Sequence, residues 1–222
     1  MAKFAIIDCG VGNLRSVQKI FERLGAEAVI TSDPSEITNC DGIVLPGVGA
    51  FGDAMVKLEA NGSADLIRKL SGVCNKPLLG ICLGIQLLGR SSAENPGVKG
   101  LGLIPGNTVD IEIADKIDWI GRKLTLPHIG WNNVKPKRSS QLFEGLERET
   151  DFYFVHSYRL EIDDHEWISA TVDYGDEIIC AIDRDNICAT QFHPEKSQVQ
   201  GQRLIKNFIS RTELAKKAHC DK

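Results

Sequence analysis

The stretch Pro77-Leu78-Leu79-Gly80-Ile81-Cys82-Leu83-Gly84-Ile85-Gln86-Leu87-Leu88 reads as an apolar strand that runs into Gly-x-Cys-x-Gly and then into a helical pattern. That is the nucleophile-elbow arrangement, with cysteine where many hydrolases carry serine. Gly80 and Gly84 stand two positions either side of Cys82 and lack the Cβ that would clash where strand and helix pack around a strained turn. Such a turn lifts the sulfur into the open at a helix N-terminus, whose partial positive charge favours thiolate over thiol. Read alone, the stretch also fits a buried structural cysteine on a Gly-rich strand.

Upstream of the elbow the chain alternates short apolar runs with helical spacing. Lys3 to Asp8 is a continuous apolar run into the turn Cys9-Gly10-Val11-Gly12, and Asn13 offers an N-cap for Leu14, Val17, Ile20, Phe21 and Leu24 before Gly25 closes the helix. Ala28 to Thr31, Gly42 to Leu45 and Pro77 to Ile81 read as further strands, with helices around Asp53 to Ala60 and Ser63 to Leu70. Strand and helix in alternation predict an α/β fold with a mostly parallel central sheet covered on both faces, its active residues at the carboxyl ends of the strands. Downstream the rhythm changes. Leu101 to Ile113, Lys123 to Val134, Phe152 to Leu160, Trp167 to Val172, Glu177 to Ile182 and Ile187 to Gln191 read as short strands that add antiparallel pairs, and a helix from about Gln198 to Lys217 follows. Without repeat, low-complexity tract or linker, residues 1–222 read as one domain.

Composition narrows the chemistry. The 222 residues carry a net charge of −4 and no run of Lys or Arg, which argues against a nucleic-acid or anionic-membrane face. Seven cysteines, an odd number without a Cys-x-x-Cys pair, speak against a disulfide framework or a zinc site and for a reducing cytoplasm. The first residues are too short an apolar run for a signal segment, and no window is apolar enough for a membrane helix.

A free thiol is only a few per cent ionised at neutral pH, so a nucleophilic Cys82 needs a base. Among five histidines, His128, His156, His165 and His219 have no acidic residue spaced to orient a ring, and His165 reads as a solvated turn. In Gln191-Phe192-His193-Pro194-Glu195 the proline holds His193 extended and puts Glu195 on the same side, where it can accept a hydrogen bond from the imidazole. Three such residues also describe a surface turn, but the elbow gives them a partner. Acyl chemistry requires donors for an oxyanion, and Pro46-Gly47-Val48-Gly49 puts a Gly-rich loop at a strand end. Peptide N–H groups of Gly47 and Val48, with that of Leu83 just after the nucleophile, are the expected donors. No Gly-Lys-Ser/Thr follows that loop, and Arg15 stands at the third glycine position of a dinucleotide fingerprint, so no nucleotide, metal or other cofactor is expected.

Gly80-Ile81-Cys82-Leu83-Gly84 with Gln86, followed much later by His193-Pro194-Glu195, resembles the triad-type, class I glutamine amidotransferases along nearly the whole chain. Asp8-Cys9-Gly10, Pro46-Gly47-Val48-Gly49, His128-Ile129-Gly130-Trp131-Asn132, Phe154-Val155-His156-Ser157-Tyr158 and Asp173-Tyr174-Gly175 are similar to the glutaminase subunits of imidazole glycerol phosphate synthases within that family. Cys9 departs from the pattern, which has an aromatic there. The resemblance implies a flavodoxin-like fold and the triad Cys82, His193 and Glu195. It also implies glutamine held by Gln86, His156, Ser157 and Tyr158. Trp131, Tyr153 and Lys196 would face a cyclase subunit that receives the ammonia, in a heterodimer serving histidine biosynthesis. Since the chain shows no second site to activate an acceptor, direct transfer to a partner is the economical reading. A related subunit feeding another acceptor, such as a sugar, would carry near-identical motifs. A catalytically silent scaffold is the remaining alternative.

Overall fold

The computed structural model describes residues 1–10, 13–118, 120–137 and 139–220; Val11 and Gly12 of the expected first turn, and the side chain of His219, lie outside the described residues. Five strands form the parallel half of the sheet: β1 (Lys3–Ile7), β2 (Glu27–Thr31), β3 (Gly42–Gly47), β4 (Leu78–Cys82) and β11 (Ile187–Thr190), in the order β2-β1-β3-β4-β11. This order obeys the flavodoxin-like rule, with ligand chemistry expected beyond the carboxyl ends. The sheet continues through antiparallel β10 (Glu177–Arg184), β9 (Ile168–Asp173), β6 (His128–Pro136) and β7 (Thr150–His156). A side branch pairs β8 (Tyr158–Ile162) with β10 and with β5 (Gly106–Asp110). The expected mostly parallel sheet is thus one half of a larger mixed one, and β11, expected among the antiparallel additions, joins that half parallel to β4 while pairing antiparallel with β10.

Helices cover both faces because alternate residues of the inner strands are apolar in both directions. Phe4 and Ile6 of β1 pack with Phe21 of α1 (Leu14–Arg23) and with Phe208 of α6 (Gln198–Cys220). Ala5 and Ile7 pack on the other face with Met55 and Leu58 of α3 (Phe51–Ala60) and with Ile67 of α4 (Ser63–Ile67). Asn13 caps α1 as its sequence predicts, its side chain accepting from the Ser16 N–H at 3.3 Å.

Several details depart from the sequence reading, among them the run from Lys123 to Val134, which is a strand only from His128 onward. A short α2 (Pro34–Asn39), capped by the Asp33 carboxylate, bridges β2 and β3; its six residues are too few to show a period. The helix expected to run to Leu70 ends at Ile67 and continues as a π-helical turn, Arg68–Val73. Phe152 to Leu160 is two strands, since the chain breaks at Ser157 between β7 and β8. Only Gly106–Asp110 of the run from Leu101 to Ile113 is a strand, because the preceding residues fold back over the elbow helix, with the Leu101 N–H donating to the Leu87 carbonyl at 2.8 Å.

Candidate active site

Cys82 closes β4 with φ 54° and ψ −104°, a strained conformation for a residue with a side chain. The flanking glycines make it feasible. A Cβ on Gly84 would lie 1.9 Å from the Leu45 carbonyl oxygen, and one on Gly80 would meet the Ala189 Cβ and the Gly84 backbone at 3.0 Å. The following helix, α5 (Leu83–Leu87), is only five residues long, which corrects the weight given to its dipole and puts activation of the thiol mainly on a base.

That base reaches the sulfur because β11 lies parallel to β4, with Thr190 opposite Ile81, so the chain leaving β11 passes beside Cys82. His193 is extended (φ −99°, ψ 94°), but Glu195 lies in the 3-10 turn Pro194–Lys196 rather than on a continuing strand. The turn delivers the same bond by another route: His193 Nδ1 meets Glu195 Oε1 at 2.7 Å with both side chains buried. Nε2 is buried on the other side of the ring from Glu195. Burial pushes the imidazole pKa down, but the nearby Cys82 sulfur and the Glu195 carboxylate outweigh it and raise it to about 9. Ser197 anchors this turn. Its hydroxyl donates to the His193 carbonyl at 2.6 Å and accepts from the Tyr153 N–H at 3.0 Å, while the His193 N–H donates to the Tyr153 carbonyl at 2.9 Å.

Gly47 is the register partner of Cys82 across β3 and β4, which brings the start of the 47–49 loop alongside the sulfur. Val48, Gly49, Cys82 and Leu83 share the wall of a cavity of about 230 Å³ with Gln86, Glu94, His156, Ser157 and Tyr158. The structure therefore gathers the elbow, both sides of the expected oxyanion site and all four residues assigned to glutamine around one space. Gln86 is buried, and its Nε2 donates to Gln191 Oε1 at 3.2 Å and to the Tyr158 carbonyl at 3.5 Å, so it braces the wall as well as lining it.

Three contributors were not singled out as site residues from the sequence. Glu94 lines the cavity and accepts the Phe51 N–H at 2.8 Å, and Asn95 accepts the Gly52 N–H at 2.8 Å. Together they cap α3, whose own N-cap residue, Ala50, cannot. His128 bonds His156 at 2.9 Å, although neither has an acidic neighbour in sequence. Of the residues assigned to a partner face, Trp131 and Tyr153 are cross-strand partners with rings 6.1 Å apart edge to face, and the Lys196 ammonium lies 5.8 Å from the Tyr153 ring centre. Trp131 is 49% exposed and Ile129, two residues before it, 59%, an apolar patch adjoining the triad turn. His165 is exposed in a short turn, as its sequence predicts.

The chain is similar to curated proteins named imidazole glycerol phosphate synthase subunit HisH. It is 49% identical to that of Methanothermobacter thermautotrophicus over 205 residues, 92% of this chain and 96% of the relative. It is 48% identical to that of Geobacter sulfurreducens over 94% of this chain and 98% of the relative, and 43% identical to that of Aquifex aeolicus over 94% and 96%. The fold also matches PurLQS from Thermotoga maritima (TM-score 0.70, 18% identity, 95% and 99% coverage). The glutaminase domain of Trypanosoma brucei CTPS is a further match (TM-score 0.64, 17% identity, 96% and 94% coverage). Residues 5–212 match the family described as Glutamine amidotransferase class-I, and to that family the chain belongs.

Proposed function

We propose that the chain is the glutaminase subunit of an imidazole glycerol phosphate synthase, hydrolysing glutamine and passing the ammonia to a cyclase subunit in histidine biosynthesis. The observation that carries the reaction is the buried His193–Glu195 pair set beside the strained Cys82 on the wall of a glutamine-sized cavity. The acceptor is inferred from relatives that match almost end to end.

In this mechanism Glu195 holds Nδ1–H, so Nε2 holds the proton taken from the Cys82 thiol, and Sγ attacks the γ-carbonyl carbon of glutamine as the thiolate. The oxyanion is met by the Leu83 N–H and by a peptide N–H of the Gly47–Val48 segment. His193 returns the proton to the departing ammonia, and the thioester remains on Cys82. Water, deprotonated by the same nitrogen, then releases glutamate. The Glu94 carboxylate is the acidic group placed to receive the substrate ammonium. One domain spanning 1–222 suffices for this, and the continuous sheet supports that reading.

Trp131, Tyr153 and Lys196 form the partner face of a heterodimer, supported by their clustering beside the triad turn. A cytoplasmic location fits the six free cysteines among the described residues and the lack, in those residues, of a helix long and apolar enough to cross a membrane. The test is to purify the chain with its cognate cyclase and follow glutamate release and imidazole glycerol phosphate together. Glutamate release without transfer to that product would refute the assigned acceptor, and no glutamate release would refute the triad.

A further inference from the structure

His128 and His156 face each other across β6 and β7, buried; His156 lines the cavity, and neither ring takes part in the proton transfers above. Their hydrogen bonds leave only one arrangement of protons. His156 Nδ1 lies 2.8 Å from the Tyr158 carbonyl, which can only accept, so Nδ1 carries the hydrogen. A neutral His156 then has a lone pair at Nε2, and His128 Nδ1, 2.9 Å away, must donate to it. That leaves a lone pair on His128 Nε2, which accepts from Asn132 Nδ2 at 3.3 Å. The Asn132 amide is itself fixed, since Nδ2 also donates to the Asp173 carbonyl at 2.9 Å and Oδ1 accepts the Asn133 N–H at 2.8 Å. Burial holds both rings neutral, lowering His128 to about 3 and His156 to about 4. His128 is stacked between Tyr174 and Phe154, with ring centres 3.9 and 4.8 Å away, so it cannot swing out of line.

We infer that His128 is a positioning residue for the glutamine site: its Nδ1–H grips the His156 ring at Nε2, in the orientation in which Nδ1–H donates to the Tyr158 carbonyl, and thereby holds the 155–158 wall of the cavity in shape. The wall requires such a lock because the chain breaks between strands at Ser157, where no ladder bond fixes it. Without the donated hydrogen, His156 Nε2 is left as a buried lone pair with no donor, and the ring is held only by its bond to the Tyr158 carbonyl. The ring then tilts to bring Nε2 towards another donor, and the wall it carries shifts away from Gln86. This rests on the reading of that cavity as the glutamine site, and it predicts a defect in substrate binding rather than in bond making.

The experiment has two arms. Proton–nitrogen correlation spectra of the histidine rings in the full-length chain at neutral pH should show His128 and His156 both neutral with hydrogen on Nδ1; an Nε2–H form of either ring overturns the proposal. In the second arm, glutaminase kinetics of the complex with the cyclase are compared for wild type, His128→Leu and His128→Asn. His128→Leu should raise KM for glutamine about tenfold with kcat within about threefold, and His128→Asn, whose amide can donate from the Nδ1 position, should return KM to within about twofold of wild type. An unchanged KM in His128→Leu, or no rescue by Asn, overturns the proposal. If His128→Leu does not fold, the spectra and the Asn variant still decide. A wild-type complex without glutaminase activity refutes the functional reading instead, and leaves the spectral arm standing.

Discussion

Removing the sulfur and removing the imidazole test two ends of one proton path. Cys82→Ala or His193→Ala should lower glutamine turnover by about 10³ or more, and only the wild type should yield a trappable acyl-enzyme on Cys82. Glu195→Gln keeps a hydrogen-bonding group beside Nδ1 but loses the charge that stabilises imidazolium. Its turnover should therefore fall less than that of His193→Ala, and an equal loss with an intact fold would contradict a purely orienting role. Gly84→Ala is a fold test at the same turn, since its Cβ would be driven into the Leu45 carbonyl inside β3. We expect about 3 kcal/mol or more of destabilisation by denaturant titration, and less from Gly80→Ala, whose contacts are at 3.0 Å. These residues were readable in sequence because their logic is local: glycines two apart from a cysteine, and a glutamate two after a histidine. Glu94 was not, because its place in the cavity depends on a loop that folds back to α3.

Along the elements, two groups of histidines tilt stability in opposite directions. The folded-state pKa values of His128 and His156 lie below the ordinary 6.5, so the unfolded chain binds more protons and the stability of the β6–β7 pair is lost as pH falls from 6.5 towards 4. Each ring should contribute a slope of about 1.4 kcal/mol per pH unit in that window. The opposite holds for His193, whose raised pKa makes its contribution complete below 6.5 and lost as pH rises through about 9. Unfolding midpoints measured across pH should therefore peak near neutrality, with His128→Asn flattening the acid limb and His193→Asn the alkaline one. The strand alternation of the N-terminal half was legible because buried parallel strands are continuous apolar runs bounded by turns. The break at Ser157 was not, because β7 and β8 share one apolar pattern and only their different partners, β6 and β5, separate them. Cross-strand pairs such as His128–His156 are likewise invisible until register is known.

At the level of the whole molecule, the exposed Trp131 and Ile129 beside the triad turn predict an active site that answers to what covers them. Addition of the cyclase with its ribonucleotide substrate should raise glutamine turnover at least tenfold, an amount that one oxyanion donor presented or withdrawn by the Pro46–Gly49 loop can supply, at about 3–4 kcal/mol. Lys196→Glu, placing a carboxylate at the edge of the Tyr153 ring, should weaken the complex in a titration. Activity of the lone chain that is indifferent to the cyclase would refute this coupling and leave the triad intact. The sheet order carries one more consequence, in time rather than in space. The last strand, β11, lies between β4 and β10 and is the joint between the parallel and antiparallel halves. The nucleophile therefore waits for a base that is 111 positions later in the chain. At a synthesis rate of about 5–20 residues per second, that is roughly 6–20 s during which Cys82 exists on the ribosome without His193. A nascent chain stalled before β11 should show a thiol no more reactive than an ordinary cysteine, and release of the final segment should switch its reactivity on in one step.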